Sequence, residues 1–360
     1  MVGIEALQGY LLEEVLARLL FENGYRLLVS AQQDPDALAE GNHGLLVRGR
    51  GSDHQADVLG ELTLPTPFSL PLRIFVEAKY RRATTGLAAV RNAHGVVHDV
   101  NEYYSTAHHG RLRLPVQRHL YRYALFSTSG FTRPAQQYAL AQQVFLVDLS
   151  GQAFKGLRGG VEEAARQLHE LAAATGGPFP RGQVRTALRL SLDTWTAERI
   201  PPEDTTIDVL GRESSARNPA RAEDRELPPR RLAGIADSLA SRVGDSLLLG
   251  FPSAPFVLVF RPDDLADFGA YIAEHGTDID VRITRRDVSS DWVVVPADGT
   301  RAFRLPFSLP ALLADWLLGG DPATVAVRAK NVKAELLSFI SVFHAGRLVR
   351  LVFRPRTQRS

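Results

Sequence analysis

The chain has 360 residues, a formal net charge of +2, and 45% hydrophobic and 23% charged residues; it is long enough for two domains of ordinary globular composition. It contains no cysteine, so disulfides and thiolate-bound zinc are excluded. No apolar run approaches the roughly 20 residues that a membrane helix needs, and the N-terminus lacks the blocks of a signal peptide. We therefore expect a cytoplasmic protein with no membrane partner.

The first predicted element is an amphipathic helix within residues 5–25. Its apolar residues recur at intervals of three and four, and Gly24 supplies a stop signal. The helix carries two adjacent carboxylates, Glu13 and Glu14.

Two apolar runs, residues 57–62 and 72–79, predict a β-hairpin, because the residues between them include Pro65, Pro67 and Pro71. Glu77 and Lys79 are two residues apart on one strand, so their side chains share a face, and strand pairing can bring Asp57 beside them. Two carboxylates can hold a hard divalent cation through oxygen ligands. With a neighbouring ammonium, this set suits metal-assisted attack of water on a phosphodiester.

A structural alternative exists for the same residues, because edge strands often carry charged side chains that block aggregation. The lysine argues for chemistry. The chain has 42 basic residues but only four lysines, Lys79, Lys155, Lys330 and Lys333. A lysine in this arginine-rich chain indicates a need for a compact ammonium that can approach water or phosphate.

Several segments resemble Mrr-type restriction endonucleases, members of the PD-(D/E)xK nuclease superfamily. Residues 49–57 resemble the family's Gly-rich approach to its first catalytic aspartate, with Ala56 where the family often has Gly or Pro, and residues 75–79 match its Glu-x-Lys strand. The resemblance covers about residues 5–150, and its segments occur in the family's order: 5–25 with Glu13, 49–57, 75–79, 126–139 and 144–149.

The resemblance implies an α/β fold, with a restriction-endonuclease-like core of a mixed central sheet flanked by helices. It implies that Asp57, Glu77 and the backbone carbonyl of Ala78 bind Mg²⁺, for which Mn²⁺ can substitute. Lys79 would then orient or help deprotonate the attacking water, and Glu13 would reach the metal through water, with Glu14 the less favoured neighbour. The implied substrate is double-stranded DNA, in defence against foreign DNA.

A basic stripe follows the hairpin: residues 73–133 contain ten basic residues against three acidic ones, and Tyr103, Tyr104, Tyr121 and Tyr123 are interleaved with them. Such a stripe fits binding of a phosphate backbone, and a solvated face balanced by acids elsewhere is the alternative. We assign DNA contacts to Arg81 and Arg82. The family resemblance adds Arg91 and Asn92, on a predicted helix that lies beside the active site in that family.

Histidines give a rival signal, since seven of the ten lie between residues 43 and 119. On a helix, His94 and His98 have zinc-ligand spacing, with Asp99 and Glu102 nearby. Gly95, however, stands where zincin-type motifs have glutamate, which argues against a zinc hydrolase. Packing, capping or phosphate contact is the favoured interpretation.

The rest of the chain carries no recognised chemical motif. We predict a flexible stretch at 156–160 and helices at 161–174 and 182–200. Residues 198–231 contain 15 charged residues and five prolines and predict a linker. Beyond it, the predicted strands are 255–260, 280–284, 292–296 and 348–353, and the predicted helices are 265–275, 309–318 and 332–343.

These observations predict four parts: a nuclease-like domain (1–155), a helical connector (156–200), a charged Pro-rich linker (201–234) and a separate α+β domain of unknown role (235–360). The predicted function is a Mg²⁺-dependent DNA endonuclease. The alternative is a non-cleaving DNA-binding or signalling module that keeps the fold. A homodimer, and a partner or signal sensed by residues 235–360, are both compatible with this organisation.

Overall fold

The structure is a computed structural model that describes residues 2–41, 44–62, 69–109, 112–116, 118–176, 179–194, 226–243, 247–285 and 291–354. Its helices are α1 (Ile4–Glu22), α2 (Leu87–Asn101), α3 (Arg133–Gln142), α4 (Lys155–Thr175), α5 (Arg181–Ser191), α6 (Pro229–Val243), α7 (Leu265–His275), α8 (Ala311–Leu318) and α9 (Pro322–Glu335). Within the described residues, no helix is long and apolar enough to cross a lipid bilayer.

The strands of the N-terminal half are β1 (Arg26–Leu28), β2 (Leu38–Gly41), β3 (Gly44–Arg48), β4 (Asp53–Gln55), β5 (Val58–Leu62), β6 (Leu72–Lys79), β7 (Ser105–His109), β8 (Leu112–Val116), β9 (Leu120–Ser127) and β10 (Phe145–Asp148). Those of the C-terminal half are β11 (Leu248–Pro252), β12 (Leu258–Phe260), β13 (Asp278–Arg285), β14 (Asp291–Pro296), β15 (Leu305–Ser308), β16 (Phe339–His344) and β17 (Arg347–Phe353).

The chain forms two compact units, Met1–Arg18 with Phe154–Gly244, and Leu19–Ala153 with Asp245–Ser360. The first unit consists of the start of α1 together with α4, α5 and α6, and its buried side chains include Val161, Leu168 and Leu239. The second unit contains both sheets described below. The predicted four-part division concerns pieces that fold independently, and it stays a prediction.

A mixed five-stranded sheet in the order β1-β5-β6-β9-β10 forms the centre of the nuclease-like part. β1, β5 and β6 pair antiparallel, whereas β6, β9 and β10 pair parallel. Buried residues of α2 and α3, including Val90, Ala93 and Ala135, join Phe75 and Leu125 of the sheet in one apolar core. The predicted fold class, a mixed sheet flanked by helices, is confirmed.

The C-terminal part is built on a seven-stranded sheet in the order β12-β11-β16-β17-β13-β14-β15. Its two edges meet, because Arg261 N–H donates to Pro306 O (3.0 Å) and Asp263 N–H to Arg304 O (3.1 Å). Phe260, Trp292 and Leu305 belong to its apolar core, and the predicted α+β class is confirmed here as well.

A buried amide links the end of α1 to the seven-stranded sheet of the second unit. Asn23 is fully buried; its Nδ2 donates to Leu247 O at 3.1 Å, and its Oδ1 accepts from Leu249 N–H at 2.7 Å. One side chain at the end of α1 therefore satisfies two main-chain groups at the start of β11.

Some sequence predictions differ from the structure. Residues 156–160, predicted to be flexible, lie in the first turns of α4, where Gly160 leaves room for Leu239 and Arg242 of α6. Residues 339–343, predicted to be helical, belong to β16, because alternate residues of this apolar run face the core. Residues 229–234 of the predicted linker form the start of α6, and the linker's residues 201–225 lie outside the described residues.

Candidate active site

The predicted hairpin is present: β5 and β6 pair antiparallel with Val58 opposite Val76. Asp57 directly precedes β5 and so comes beside the end of β6. The main-chain N–H of Ala78 donates to Asp57 Oδ2 at 3.0 Å. The turn of the hairpin, residues 63–68, lies outside the described residues.

Asp57 is a half-buried carboxylate in surroundings that disfavour its negative charge. Burial raises the pKa of Asp57, the Ala78 N–H lowers it, the charge of Glu77 raises it and that of Lys79 lowers it, and the net shift is upward. A bound cation would offset both the loss of hydration and the repulsion from Glu77.

Both carboxylate oxygens of Glu77 have partners. Lys79 Nζ forms an ion pair with Oε1, which agrees with the predicted shared face. On the other side, the Tyr123 hydroxyl donates to Oε2 at 2.9 Å. Burial and the neighbouring charge of Glu77 raise the pKa of Tyr123, so that this hydroxyl stays a donor.

The donor set fits a hard divalent cation. It offers two carboxylates, Asp57 and Glu77, with the main-chain carbonyl of Ala78 on the strand between the charged side chains, and oxygen-only ligands suit Mg²⁺. Within the described ranges, no three His, Asp or Glu side chains converge as a metal cluster. Water or substrate oxygens would therefore have to complete the coordination, as is usual for Mg²⁺.

The chain that leaves β6 is held by hydroxyl groups of the Ser127–Thr132 turn. Thr128 Oγ1 accepts from Arg81 N–H at 3.2 Å, Ser129 Oγ donates to Ala83 O at 2.7 Å, and Ser127 Oγ lies 2.8 Å from Thr85 Oγ1. β6 has ended here, and these side chains add to the remaining main-chain hydrogen bonds, such as that from Thr128 N–H to Lys79 O at 3.1 Å. They fix the backbone next to Lys79.

The predicted DNA-binding residues lie at the surface. Arg81 and Arg82 are exposed directly after β6, and Arg91 and Asn92 are exposed on α2. The Arg91 guanidinium lies over the ring of Tyr138, 5.7 Å from its centroid. Contact of these four residues with DNA stays a prediction.

Part of the basic stripe is not available to phosphate. Arg73 is only 1% exposed; its Nε donates to Glu61 at 2.8 Å and its Nη2 to Asp34 at 2.7 Å. Arg118 pairs with Asp34 as well, and its side chain is 40% exposed. Arg73 therefore stabilises the interior at the opposite end of the hairpin from Lys79. The side chains of Arg111 and Arg113 lie outside the described set.

Glu13 and Glu14 lie on α1, in the first unit. Glu14 is buried, with its carboxylate 3.1 Å from Arg189 Nε and 3.5 Å from Arg185 Nε. Because two arginines neutralise it, Glu14 has a structural partner set. The water-mediated role assigned to Glu13 stays a prediction.

The histidines of the rival signal have other partners. His94 Nδ1 lies 3.1 Å from the Tyr138 hydroxyl, and His98 Nε2 lies 3.0 Å from Glu102. His54 Nε2 lies 2.8 Å from Asp99, whose carboxylate also accepts from the N–H of Gly51. The two contacts of Asp99 connect the Gly-rich loop before Asp57 to α2.

Sequence reasoning missed the roles of Tyr123 and Thr128. The sequence marks Tyr123 only as one of the aromatics of the basic stripe, and Thr128 only as part of a turn that resembles the family's. Their contacts depend on the parallel register of β6 and β9, in which Phe75 lies opposite Tyr123 and Lys79 opposite Ser127. No local pattern specifies that register.

Comparison with known proteins supports the resemblance. Residues 4–154 match the model of the Mrr catalytic-domain family, described as "Restriction endonuclease", so the resemblance to Mrr-type nucleases is confirmed for this part of the chain. No curated protein matches the chain. A solved structure described as "Crystal Structure of Protein of Unknown Function AF1548" is similar at 17% identity over 43% of this chain and 78% of that chain, with a TM-score of 0.27.

Proposed function

We propose that the protein is a Mg²⁺-dependent endonuclease that hydrolyses phosphodiester bonds of double-stranded DNA. The match of residues 4–154 to the Mrr catalytic-domain family supports this proposal. The observation that carries this proposal is the convergence of Asp57 and the Glu77–Lys79 ion pair, joined by the Ala78 N–H. If the charged side chains at the end of β6 only blocked aggregation, they would not need Asp57 from the start of the neighbouring strand beside them.

In the proposed mechanism, Asp57, Glu77 and the Ala78 carbonyl would hold the metal, with Mn²⁺ as a substitute for Mg²⁺. The metal supplies Lewis-acid activation of the phosphate and of water. Lys79, as an ammonium, orients the attacking water, helps its deprotonation and stabilises charge on the phosphate oxygens. The water gives a proton to solvent and its oxygen bonds to phosphorus, the bond from phosphorus to the leaving sugar oxygen breaks, and that oxygen takes up a proton from solvent.

DNA contacts in this proposal come from Arg81, Arg82, Arg91 and Asn92, which are exposed near the end of β6 and on α2. Contacts between arginine and phosphate oxygens position the DNA and carry no base-sequence information. Target choice would then come from elsewhere, and we assign it to residues 235–360, which would sense a target, a partner or a signal. We further propose a cytoplasmic location and a role in defence against foreign DNA.

A second candidate is a non-cleaving DNA-binding or signalling module. The observation in its favour is that only two carboxylates meet at the candidate site within the described residues. A metal titration separates the two candidates, because a degenerate site would bind Mg²⁺ no better than ordinary surface carboxylates do.

The test of the proposed function is incubation of the full chain with modified and unmodified plasmid DNA. We expect linear or nicked products with Mg²⁺ or Mn²⁺, and none with Ca²⁺ or with excess chelator. Cleavage that persists in chelator would contradict the metal site. Binding without cleavage under every metal condition would favour the second candidate.

A further inference from the structure

Tyr123 contacts Glu77 of the candidate site, although no sequence motif identifies it. Its side chain is 5% exposed, and its ring stacks on Phe75 with 5.5 Å between centroids and 2° between planes. Phe75 and Tyr123 occupy facing positions of the parallel β6–β9 pair. Stacking on Phe75 of the neighbouring strand β6 therefore fixes the ring of Tyr123, and the Tyr123 hydroxyl has a defined position.

From that position the Tyr123 hydroxyl donates to Glu77 Oε2 at 2.9 Å. A phenol has one proton to donate, so this contact places one particular carboxylate oxygen. The other oxygen, Oε1, faces the ammonium of Lys79. The two partners differ in mobility: the tyrosine ring is rigidly packed, whereas lysine has a flexible four-carbon stem and is 18% exposed here.

We propose that Tyr123 is a positioning residue for the metal site: it holds Glu77 Oε2 and leaves Oε1, the oxygen paired with Lys79, for a divalent cation. This inference rests on the proposed function. Lys79 and the cation then compete for the same oxygen. A Lys79 side chain that has left Glu77 is the one available to water or phosphate, so occupancy of the site and release of the catalytic ammonium are coupled.

The expected size of the tyrosine effect follows from metal sites in general. Partners that hydrogen-bond a ligating side chain orient it, and their removal typically lowers metal affinity by about 10- to 100-fold. The lysine effect has the opposite sign, since removing a positive charge next to a cation site, and a competitor for its ligand, increases the affinity.

The experiment is a calorimetric titration of the full chain with Ca²⁺ in the absence of DNA, so that no cleavage is needed for the readout. Tyr123→Phe keeps the ring and its stacking and removes only the hydroxyl. We expect it to weaken Ca²⁺ binding about 10-fold or more. Tyr138→Phe is the matched control, because its hydroxyl meets His94 and not the candidate site, and its affinity should equal that of the wild type.

Two further variants complete the design. Lys79→Met should bind Ca²⁺ more tightly than the wild type. It tests the competition for Glu77 Oε1 without changing the stacked rings of Phe75 and Tyr123. It therefore still tests the inference if a melting experiment shows that Tyr123→Phe does not fold. Wild-type affinity in Tyr123→Phe, or unchanged or weaker binding in Lys79→Met, would overturn the inference. Glu77→Gln distinguishes failure of the proposed metal site from failure of the role of Tyr123. If Glu77→Gln binds Ca²⁺ normally, the proposed site itself is wrong. If Glu77→Gln loses binding while Tyr123→Phe does not, only the role of Tyr123 is wrong.

Discussion

The main-chain N–H of Ala78 donates a 3.0 Å hydrogen bond to the Asp57 carboxylate. Ala78 lies between Glu77 and Lys79, whose side chains pair with each other. This bond therefore ties the residue that precedes β5 to the midpoint of the Glu-x-Lys strand. Asp57 and Glu77 are distant in sequence. They become neighbours because the main chain of β6 donates a hydrogen bond to the Asp57 carboxylate.

The first prediction separates chemistry from folding. Asp57→Ala or Glu77→Ala should lower cleavage by at least about 100-fold, since even outer partners of a metal site are worth 10- to 100-fold. DNA binding should persist, because removing a carboxylate reduces repulsion of phosphate. Plasmid cleavage and a filter-binding assay measure the two effects. Asp53→Ala, a change at an exposed aspartate of β4, is the control, and wild-type rates in either site variant would refute the hairpin site.

The second prediction concerns Arg81 and Arg82. Changing both to Gln should weaken binding to all DNA sequences alike and reduce the salt dependence, by up to about 0.9 in slope for each lost phosphate contact. The matched control is the double change Arg158→Gln and Arg166→Gln on α4, which removes the same charge. A loss confined to one DNA sequence would show instead that Arg81 or Arg82 reads bases.

The third prediction concerns the buried amide of Asn23. Asn23→Ala removes the partners of Leu247 O and Leu249 N–H and leaves both groups buried and unsatisfied, which should lower the free energy of unfolding by about 2–4 kcal/mol. Urea denaturation measures the change. Asn92→Ala, at an exposed helix position, should change stability by less than about 0.5 kcal/mol.

The fourth prediction concerns pH and His119. Burial, opposed in part by Glu61 and Asp34 and reinforced by Arg73 and Arg118, lowers the pKa of His119 from 6.5 to about 4. The unfolded chain takes up this proton near pH 6.5 and the folded chain does not, so stability falls as the pH drops from 6.5 to 4, by at most about 3 kcal/mol.

His119→Gln should remove this part of the acid sensitivity, whereas His98→Gln, at an exposed position, should not. Thermal melting between pH 7 and pH 4.5 distinguishes the variants. Asp34 has a pKa below its ordinary value of 3.8 because Arg73 and Arg118 outweigh the effect of burial; its contribution to stability is lost only at lower pH. Equal pH profiles for His119→Gln and the wild type would show that His119 is not held neutral.

The fifth prediction concerns the domain division. Proteases should cut first within residues 198–231 and release a fragment of about residues 1–200. If the proposed division holds, that fragment stays folded, and retained non-specific cleavage would assign target choice to residues 235–360. Unfolding of the fragment would mean that residues 19–153 and 245–354 share one core. The hydrogen bonds of Asn23 to Leu247 and Leu249 already connect these two segments.

Local patterns in the sequence determined the elements that carry the candidate catalytic residues. Periodic apolar residues placed α1, and two apolar runs placed the strands that carry Asp57, Glu77 and Lys79. The two-residue period of a strand also put Glu77 and Lys79 on one face. The same reasoning was wrong for residues 339–343, since an apolar run as short as this fits a buried helix or a buried strand equally well.

The tertiary structure alone decided which distant side chains meet the candidate site. Tyr123 reaches Glu77, and Thr128 holds the main chain beside Lys79, because β9 pairs parallel to β6 in one particular register. Arg73 looked like part of a phosphate-binding stripe, but pairing with Glu61 and Asp34 buries it. Sequence periodicity reports which face of a strand is apolar, whereas register and partner choice depend on packing between segments far apart in the chain.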